Sequence, residues 1–271
     1  MRKLFIYLVI IPGLFFISCD KKESLSEVVQ RGLDISTRQS IYLAGELENQ
    51  MEILPRTYEN YELKTAGYKS WISGFFPGVL WYLYENDSLT EIRKYAELYT
   101  ARVEEAKTMT STHDLGFMLY CSFGNGYRLT SNPHYLEVLK TGAESLSTRF
   151  DEKVGVIKSW NSNGKWQYPV IIDNMMNLEM LSFVAKETNQ EHFMDIANTH
   201  ARTTLLHHFR PDNSCYHVIS YDTITGKPHA KQTHQGYSDS SAWARGQAWA
   251  LYGYTTVSYT HLRAHETRHD L

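Results

Sequence analysis

The chain has 271 residues, of which 42% are hydrophobic, enough to bury a sizeable core in one large or two small domains. Thirty acidic residues against 27 basic ones give a formal net charge of −3, which excludes the basic footprint of a nucleic-acid binder. The aromatic content of 19 Tyr, 11 Phe and 6 Trp suits stacking on sugar faces and suits a large helical core equally well.

Residues 1–18 read as a targeting segment and not as part of the fold. Arg2 and Lys3 make a basic start, and the apolar run 4–17 is too short to span a bilayer. Phe16-Ile17-Ser18-Cys19 resembles a bacterial lipobox with Cys19 as the lipidated first residue; a plain secretory signal is the alternative. The expectation is a lipoprotein signal peptide at 1–18 and a tether at 19–23. It adds contact with a membrane only through a lipid anchor, in the periplasm or outer membrane of a Gram-negative bacterium. Removing 1–18 takes away two bases and no acids, leaving 25 bases against 30 acids. Cys121 and Cys215 sit among aromatic residues and read as buried thiols, although an oxidising periplasm permits pairing.

Residues 24–47 predict an amphipathic helix, with Leu25, Val28, Val29, Leu33, Ile35, Ile41 and Leu43 apolar. A connection through Pro55 leads to 71–84, apolar all round, where Pro77 is tolerated if the helix begins near it. Residues 88–107 predict a helix charged on one face. The pattern then repeats. A mostly apolar helix at 113–129 has its amphipathic partner at 132–150, and the buried run 173–187 has its partner at 191–209. A buried helix follows at 240–257. Alternating buried and amphipathic helices predict an all-α toroid of helical hairpins, its inner ring apolar and its outer ring half solvated.

The connections before the inner helices, 108–112, 151–172 and 210–239, lengthen along the chain, and the last holds a hairpin that turns at Thr225-Gly226. Trp71, Asp114, Asp173, Trp243 and Arg245 therefore fall at one end of successive inner helices, around one mouth of the ring. Helix N-termini there suit an anionic ligand. Asp173 follows an extended approach at 167–172 and precedes a run with almost no polar face: Met175, Met176, Leu178, Met180, Leu181, Phe183 and Val184. It reads either as a helix N-cap or as a partly desolvated functional carboxylate.

After Val257 the sequence loses its apolar face. Residues 258–271 read as a non-native tail, and the chain as an incomplete domain over 24–257. His265-Glu266-Thr267-Arg268-His269 matches the zinc-protease pattern in form only, since it has no third ligand and no apolar context. No metal and no cofactor are expected.

Four segments together resemble glycoside hydrolase family 88, the unsaturated glucuronyl hydrolases. They are Trp71-x-x-Gly74-Phe75-Phe76-Pro77-Gly78, His113-Asp114-x-Gly116-Phe117, Asp173-Asn174-x-x-Asn177-Leu178 and Trp243-Ala244-Arg245-Gly246-Gln247-x-Trp249. The resemblance covers roughly residues 25–256, about two thirds of a typical member. It implies an (α/α)6 barrel, here cut to about four of six hairpins. By motif position, Asp173 matches the general acid/base and Asp114 the second essential carboxylate. His217 and Gln235 match substrate-pocket residues, and Trp71 and Phe75 match aromatic pocket walls. Arg245 and Trp249 match positions that shape substrate preference, and His113 and Trp243 stand within the same motifs as further substrate-binding candidates.

The implied reaction removes the terminal 4,5-unsaturated uronic acid from lyase-generated oligosaccharides. An enol ether of this kind is attacked by protonation, so one Asp can act as acid and then as base. The two-carboxylate spacing of ordinary glycosidases need not apply. An apolar rim and Asp114 would raise the pKa of Asp173, and Arg245 supplies the planar cation for the substrate carboxylate. Structural readings stay open beside these: a salt bridge for Arg245, core packing for Trp71 and Trp249, structural hydrogen bonding for His113 and His217. Two other functions also stay open, a polysaccharide lyase on the same toroid and a non-enzymatic sugar-binding lipoprotein. The parent polysaccharide and the oligomeric state are not legible.

Overall fold

A computed structural model describes residues 23–266. Residues 1–18, expected to be a signal peptide, and Cys19 lie outside the described residues, as do positions 267–271 with most of the His265–His269 motif.

Helix α1 (Leu25–Leu47) opens on a capping box. The Ser24 hydroxyl accepts from the Glu27 amide, and the Glu27 carboxylate accepts from the Ser24 amide at 2.7 Å. Its first turns are exposed, and its last turns are held by Tyr99, whose hydroxyl donates to the Ala44 carbonyl at 2.7 Å. Strands β1 (Leu54–Glu59) and β2 (Glu62–Ala66) follow as a hairpin where the sequence suggested only a connection. Its two-residue turn is Asn60-Tyr61, both at positive φ, the geometry that matches strand twist.

Three helical hairpins come next, built on one plan. Helix α2 (Phe75–Asp87) leads to α3 (Thr90–Ala101), α4 (Asn125–Thr130) to α5 (Pro133–Ser147), and α6 (Leu178–Thr188) to α7 (Glu191–His208). In each the first helix ends on a left-handed residue, Ser88, Ser131 or Asn189. One further residue then starts the second helix: Leu89, Asn132 or Gln190. At Asn132 the side chain accepts from the His134 amide at 3.0 Å, with Pro133 in the first turn. The expected alternation of apolar and amphipathic helices is present, with a further long helix, α8 (Ala244–Glu266), after the third pair.

Two inner segments depart from the α-helices expected of them. Gly116–Gly124, which runs into α4, is a π-helix. Ile172–Asn177, which runs into α6, is a 3-10 helix. An all-apolar run packed on every side lacks the periodicity that would fix its winding, so packing decides it. At Gly116 an added Cβ would lie 2.6 Å from the Asn177 Cα, and at Gly74 it would lie 2.2 Å from the carbonyl oxygens of Phe117 and Met118. These glycines let α2, the π-helix and the 3-10 turn approach backbone to backbone. The Phe117 amide then donates to Asn177 Oδ1 at 3.0 Å. The core between these segments includes Leu80, Trp81, Leu115, Met118, Leu119, Phe123, Met175, Leu178 and Leu181.

Small sheets occupy the mouth-side connections, which an all-α reading left as loops. β3 (Phe150–Asp151) pairs with β4 (Val156–Ile157). β5 (Pro169–Ile171), β6 (Val218–Tyr221) and β7 (Pro228–Gln232) form an antiparallel sheet in that order. The hairpin anticipated around Thr225-Gly226 is its β6–β7 half. Cys121 and Cys215 are free thiols.

Candidate active site

The inner-helix N-termini converge on a cavity of about 260 Å³. Trp71, His113, Asp114, Asp173, Gln235 and Arg245 all line it, brought from five separate stretches of chain. Phe75, His217, Trp243 and Trp249 do not reach the cavity surface; they stand behind residues that do. Phe75 packs edge-on to Trp71 at 5.6 Å, Trp249 meets Phe117 at 5.4 Å, Trp243 lies 4.5 Å under the Arg245 guanidinium, and His217 stands 3.7 Å from Asp173.

Asp173 sits on the first turn of the 3-10 helix and is only 8% exposed. It does not serve as a cap, because neither the 3-10 turn nor α6 has a side-chain cap bond. Its Oδ2 is buried without a hydrogen bond, and the nearest ion-pair partner is His217 Nε2 at 3.7 Å. Burial pushes the carboxyl up to about 6, from an ordinary 3.8; Asp114 pushes it the same way, while His113, the residue's own backbone amide and Arg245 pull it down. A carboxylic acid that stays half protonated near pH 6 can give a proton to a bound ligand and take one back.

Asp114 has a different setting, partly exposed and already hydrogen-bonded. Its Oδ2 accepts from the Thr112 hydroxyl at 2.7 Å, and its Oδ1 lies 3.3 Å from His113 Nε2. His113 is buried, and its amide donates to the Ser159 carbonyl at 3.2 Å. Two carboxylates of unlike environment therefore face one cavity, the arrangement that separates acid from base roles.

The sheet register delivers His217. Ile171 pairs with Val218, and the Ile172 amide donates to the His217 carbonyl at 3.0 Å, so the imidazole comes up beside Asp173. The amides of His234 and Gln235 both donate to His217 Nδ1, at 3.0 and 3.2 Å. Burial, with His234 and Arg245 nearby, lowers the imidazole to about 4, which keeps it neutral.

Arg245, on the first turn of α8, is exposed. Its guanidinium lies 4.5 Å from the Trp243 ring centre and donates to Gln235 Oε1. Among the described residues no carboxylate lies within ion-pair distance of it, so the salt-bridge reading has no partner. Its charge faces the cavity uncompensated. Three further wall residues have no signal in the sequence pattern. Ser159, Trp160 and His234 sit in irregular connections, and Trp160, Trp166 and His234 form a ring cluster 5.4 to 5.8 Å apart. Pairs of Trp and His in a loop carry no periodicity, and only the fold brings them together. Among the described residues no group of three or more His, Cys, Asp or Glu could hold a metal ion.

The model for Glycosyl Hydrolase Family 88 matches residues 47–270. The chain is 41% identical, over 96% of its length, to an unsaturated glucuronyl hydrolase of Formosa agariphila, covering 66% of that protein. It is 33% identical over 78% of its length to an unsaturated chondroitin disaccharide hydrolase of Streptococcus agalactiae, covering 54% of it. A crystal structure of an unsaturated glucuronyl hydrolase specific for heparin superposes with a TM-score of 0.79 at 45% identity, over 86% of this chain and 63% of that one. The chain thus spans less than two thirds of the length of these relatives. With a family match over most of its length and the motif residues gathered at one mouth, the chain belongs to glycosyl hydrolase family 88.

Proposed function

We propose that the whole protein removes a terminal 4,5-unsaturated uronic acid from an oligosaccharide by protonating and hydrating the C4=C5 enol ether. The observation that carries this reading is Asp173. It is a buried carboxyl that neither caps a helix nor forms a close ion pair, and its raised pKa sits at the cavity wall. The relatives' names, unsaturated glucuronyl hydrolase and unsaturated chondroitin disaccharide hydrolase, support the same substrate class.

In the first step the π pair of C4=C5 takes the Asp173 proton to form the C4–H bond, and the ring oxygen shares the positive charge left at C5. Water adds at C5 and returns a proton to the Asp173 carboxylate. The C5 hemiketal opens to a ketone, and the C1 hemiacetal so exposed releases the remaining sugar. Arg245, with Gln235, holds the substrate carboxylate, and Trp71 with Phe117 walls the ring. Burial keeps Asp173 protonated, and the charge of Asp114 adds to the effect. The catalytic domain is read as part of an (α/α)6 barrel.

The test is the loss of conjugated ultraviolet absorbance from an unsaturated uronyl disaccharide. A lyase would create that chromophore, so its appearance from intact polysaccharide would refute the hydrolase reading. We propose in addition that Cys19 carries a lipid anchor, on the strength of Phe16-Ile17-Ser18-Cys19. Among the described residues no helix is long and apolar enough to cross a membrane. Cys19→Ala should move the protein from membrane to soluble fractions; a variant that stays on the membrane refutes the anchor.

A further inference from the structure

The imidazole of His217 faces two ways, and each nitrogen has a different neighbour. Nδ1 accepts from the amides of His234 and Gln235, so it carries no proton. A neutral ring must then carry its proton on Nε2. That N–H is buried, has no hydrogen-bond partner, and stands 3.7 Å from Asp173 Oδ2, which is itself buried and unpartnered. A donor facing Oδ2 leaves no room for a second proton between them. The acid proton of Asp173 therefore belongs on Oδ1. The amides that fix the ring come from the same short segment whose Gln235 side chain holds Arg245.

We infer that His217 is a positioning residue that couples the ligand-carboxylate segment 233–236 to the acid. Its Nδ1 is set by that segment, and its Nε2–H fixes Oδ2, so that Oδ1 presents the proton to the ligand. As Asp173 gives up its proton, the charge that appears on Oδ2 draws the Nε2–H into a hydrogen bond, which stabilises the carboxylate when it is needed. Engagement of Arg245 by an anionic ligand is then felt at Asp173 through one ring. The inference rests on Asp173 being the acid. The charged and titratable groups around the pair are His113, Asp114, Cys215 and Arg245 for Asp173, and His113, His208, His234 and Arg245 for His217.

The two roles separate by substitution. In His217→Asn the amide oxygen can take the place of Nδ1 and keep the segment, while the Nε2 donor is lost. In His217→Gln the amide nitrogen can reach the place of Nε2 and keep the donor, while the acceptor for the two amides is lost. The expected result for His217→Asn is an unchanged KM with kcat lower by about tenfold to a hundredfold, the scale of one hydrogen bond to a charge. Its Asp173 carboxyl should also titrate higher, by about one pH unit. His217→Gln should raise KM with a smaller effect on kcat and an unmoved Asp173.

The ¹³C carboxyl titration of Asp173 needs no turnover and separates the two ideas. If wild type fails to consume the disaccharide while His217→Asn shifts Asp173, the coupling stands and the hydrolase reading falls. If both variants lower kcat and KM alike and leave the Asp173 titration where it was, His217 is only packing and the coupling is wrong. In wild type, ¹⁵N shifts of the imidazole must show Nε2 protonated and Nδ1 bare from about pH 5 to 8. A protonated Nδ1 overturns the inference without any variant.

Discussion

Replacing Asp173 by Asn removes a charge from a position only 8% exposed, and the fold should register this as a gain that depends on pH. The carboxyl ionises near 3.8 when unfolded and near 6 when folded. Well below pH 3.8 it is neutral in both states and contributes no difference. Between the two values the unfolded chain ionises and the folded one resists, so the cost to the fold grows as pH rises and is complete above about pH 6. The gap corresponds to about 3 kcal/mol as an upper figure. Asp173→Asn should therefore melt within about 2 °C of wild type at pH 4. At pH 7.5 it should melt higher, by on the order of 6–10 °C for a chain of this size. Urea or thermal unfolding followed by circular dichroism at the two pH values is the assay. A variant less stable than wild type at pH 7.5, or one shifted equally at both pH values, would show that Asp173 is held by favourable contacts and is no strained acid. Activity in the whole protein should meanwhile fall by ~10² to 10⁴, mostly in kcat.

In the proposed mechanism the acid form of Asp173 is the working one, so kcat/KM should decline as pH rises through about 6; a profile still rising from pH 5 to 8 would contradict this. Arg245→Lys replaces a planar fork stacked on Trp243 by a point charge. It should raise KM by roughly tenfold or more with a smaller change in kcat, and steady-state kinetics with the disaccharide would show the split. Gly116→Ala puts a Cβ 2.6 Å from the Asn177 Cα and should destabilise by about 1–3 kcal/mol, read as a lower urea midpoint; an unchanged midpoint would mean the two backbones can part freely.

Much of this architecture was legible because amphipathic outer helices carry their own period. The stretches around α1, α5 and α7 announced themselves through apolar spacing and, for α5, through Asn132-Pro133 at the start. The inner helices were legible as buried but not as wound: Gly116–Gly124 is a π-helix and Ile172–Asn177 a 3-10 helix, and a run apolar on all sides holds no clue to its pitch. The hairpin β1–β2 was missed since Pro55, Glu59, Glu62 and Lys64 blur any alternation. That Asp114, Asp173 and Arg245 share one cavity was legible because motifs tie them to helix starts. Trp160 and His234 were not, since long connections have no period and their approach depends on the β5–β6–β7 register. The carboxyl's two readings were separated only by geometry: the absence of a cap bond at Asp173 decided against the cap.

The three two-residue links at Ser88-Leu89, Ser131-Asn132 and Asn189-Gln190, each opening on a left-handed residue, divide the molecule into a constrained rim and a permissive one. On the linked rim, an inserted residue would lose the left-handed turn and swing an outer helix off its core. On the opposite rim the chain passes between hairpins through connections of very different length, and these carry Thr112, Ser159, Trp160, His234 and Gln235 to the cavity wall. Lengthening or grafting those connections alters what the cavity meets without disturbing how the hairpins stack. Divergence toward new ligands is therefore open to this scaffold on one side only, and a library aimed at changed selectivity belongs in those connections and not in the links.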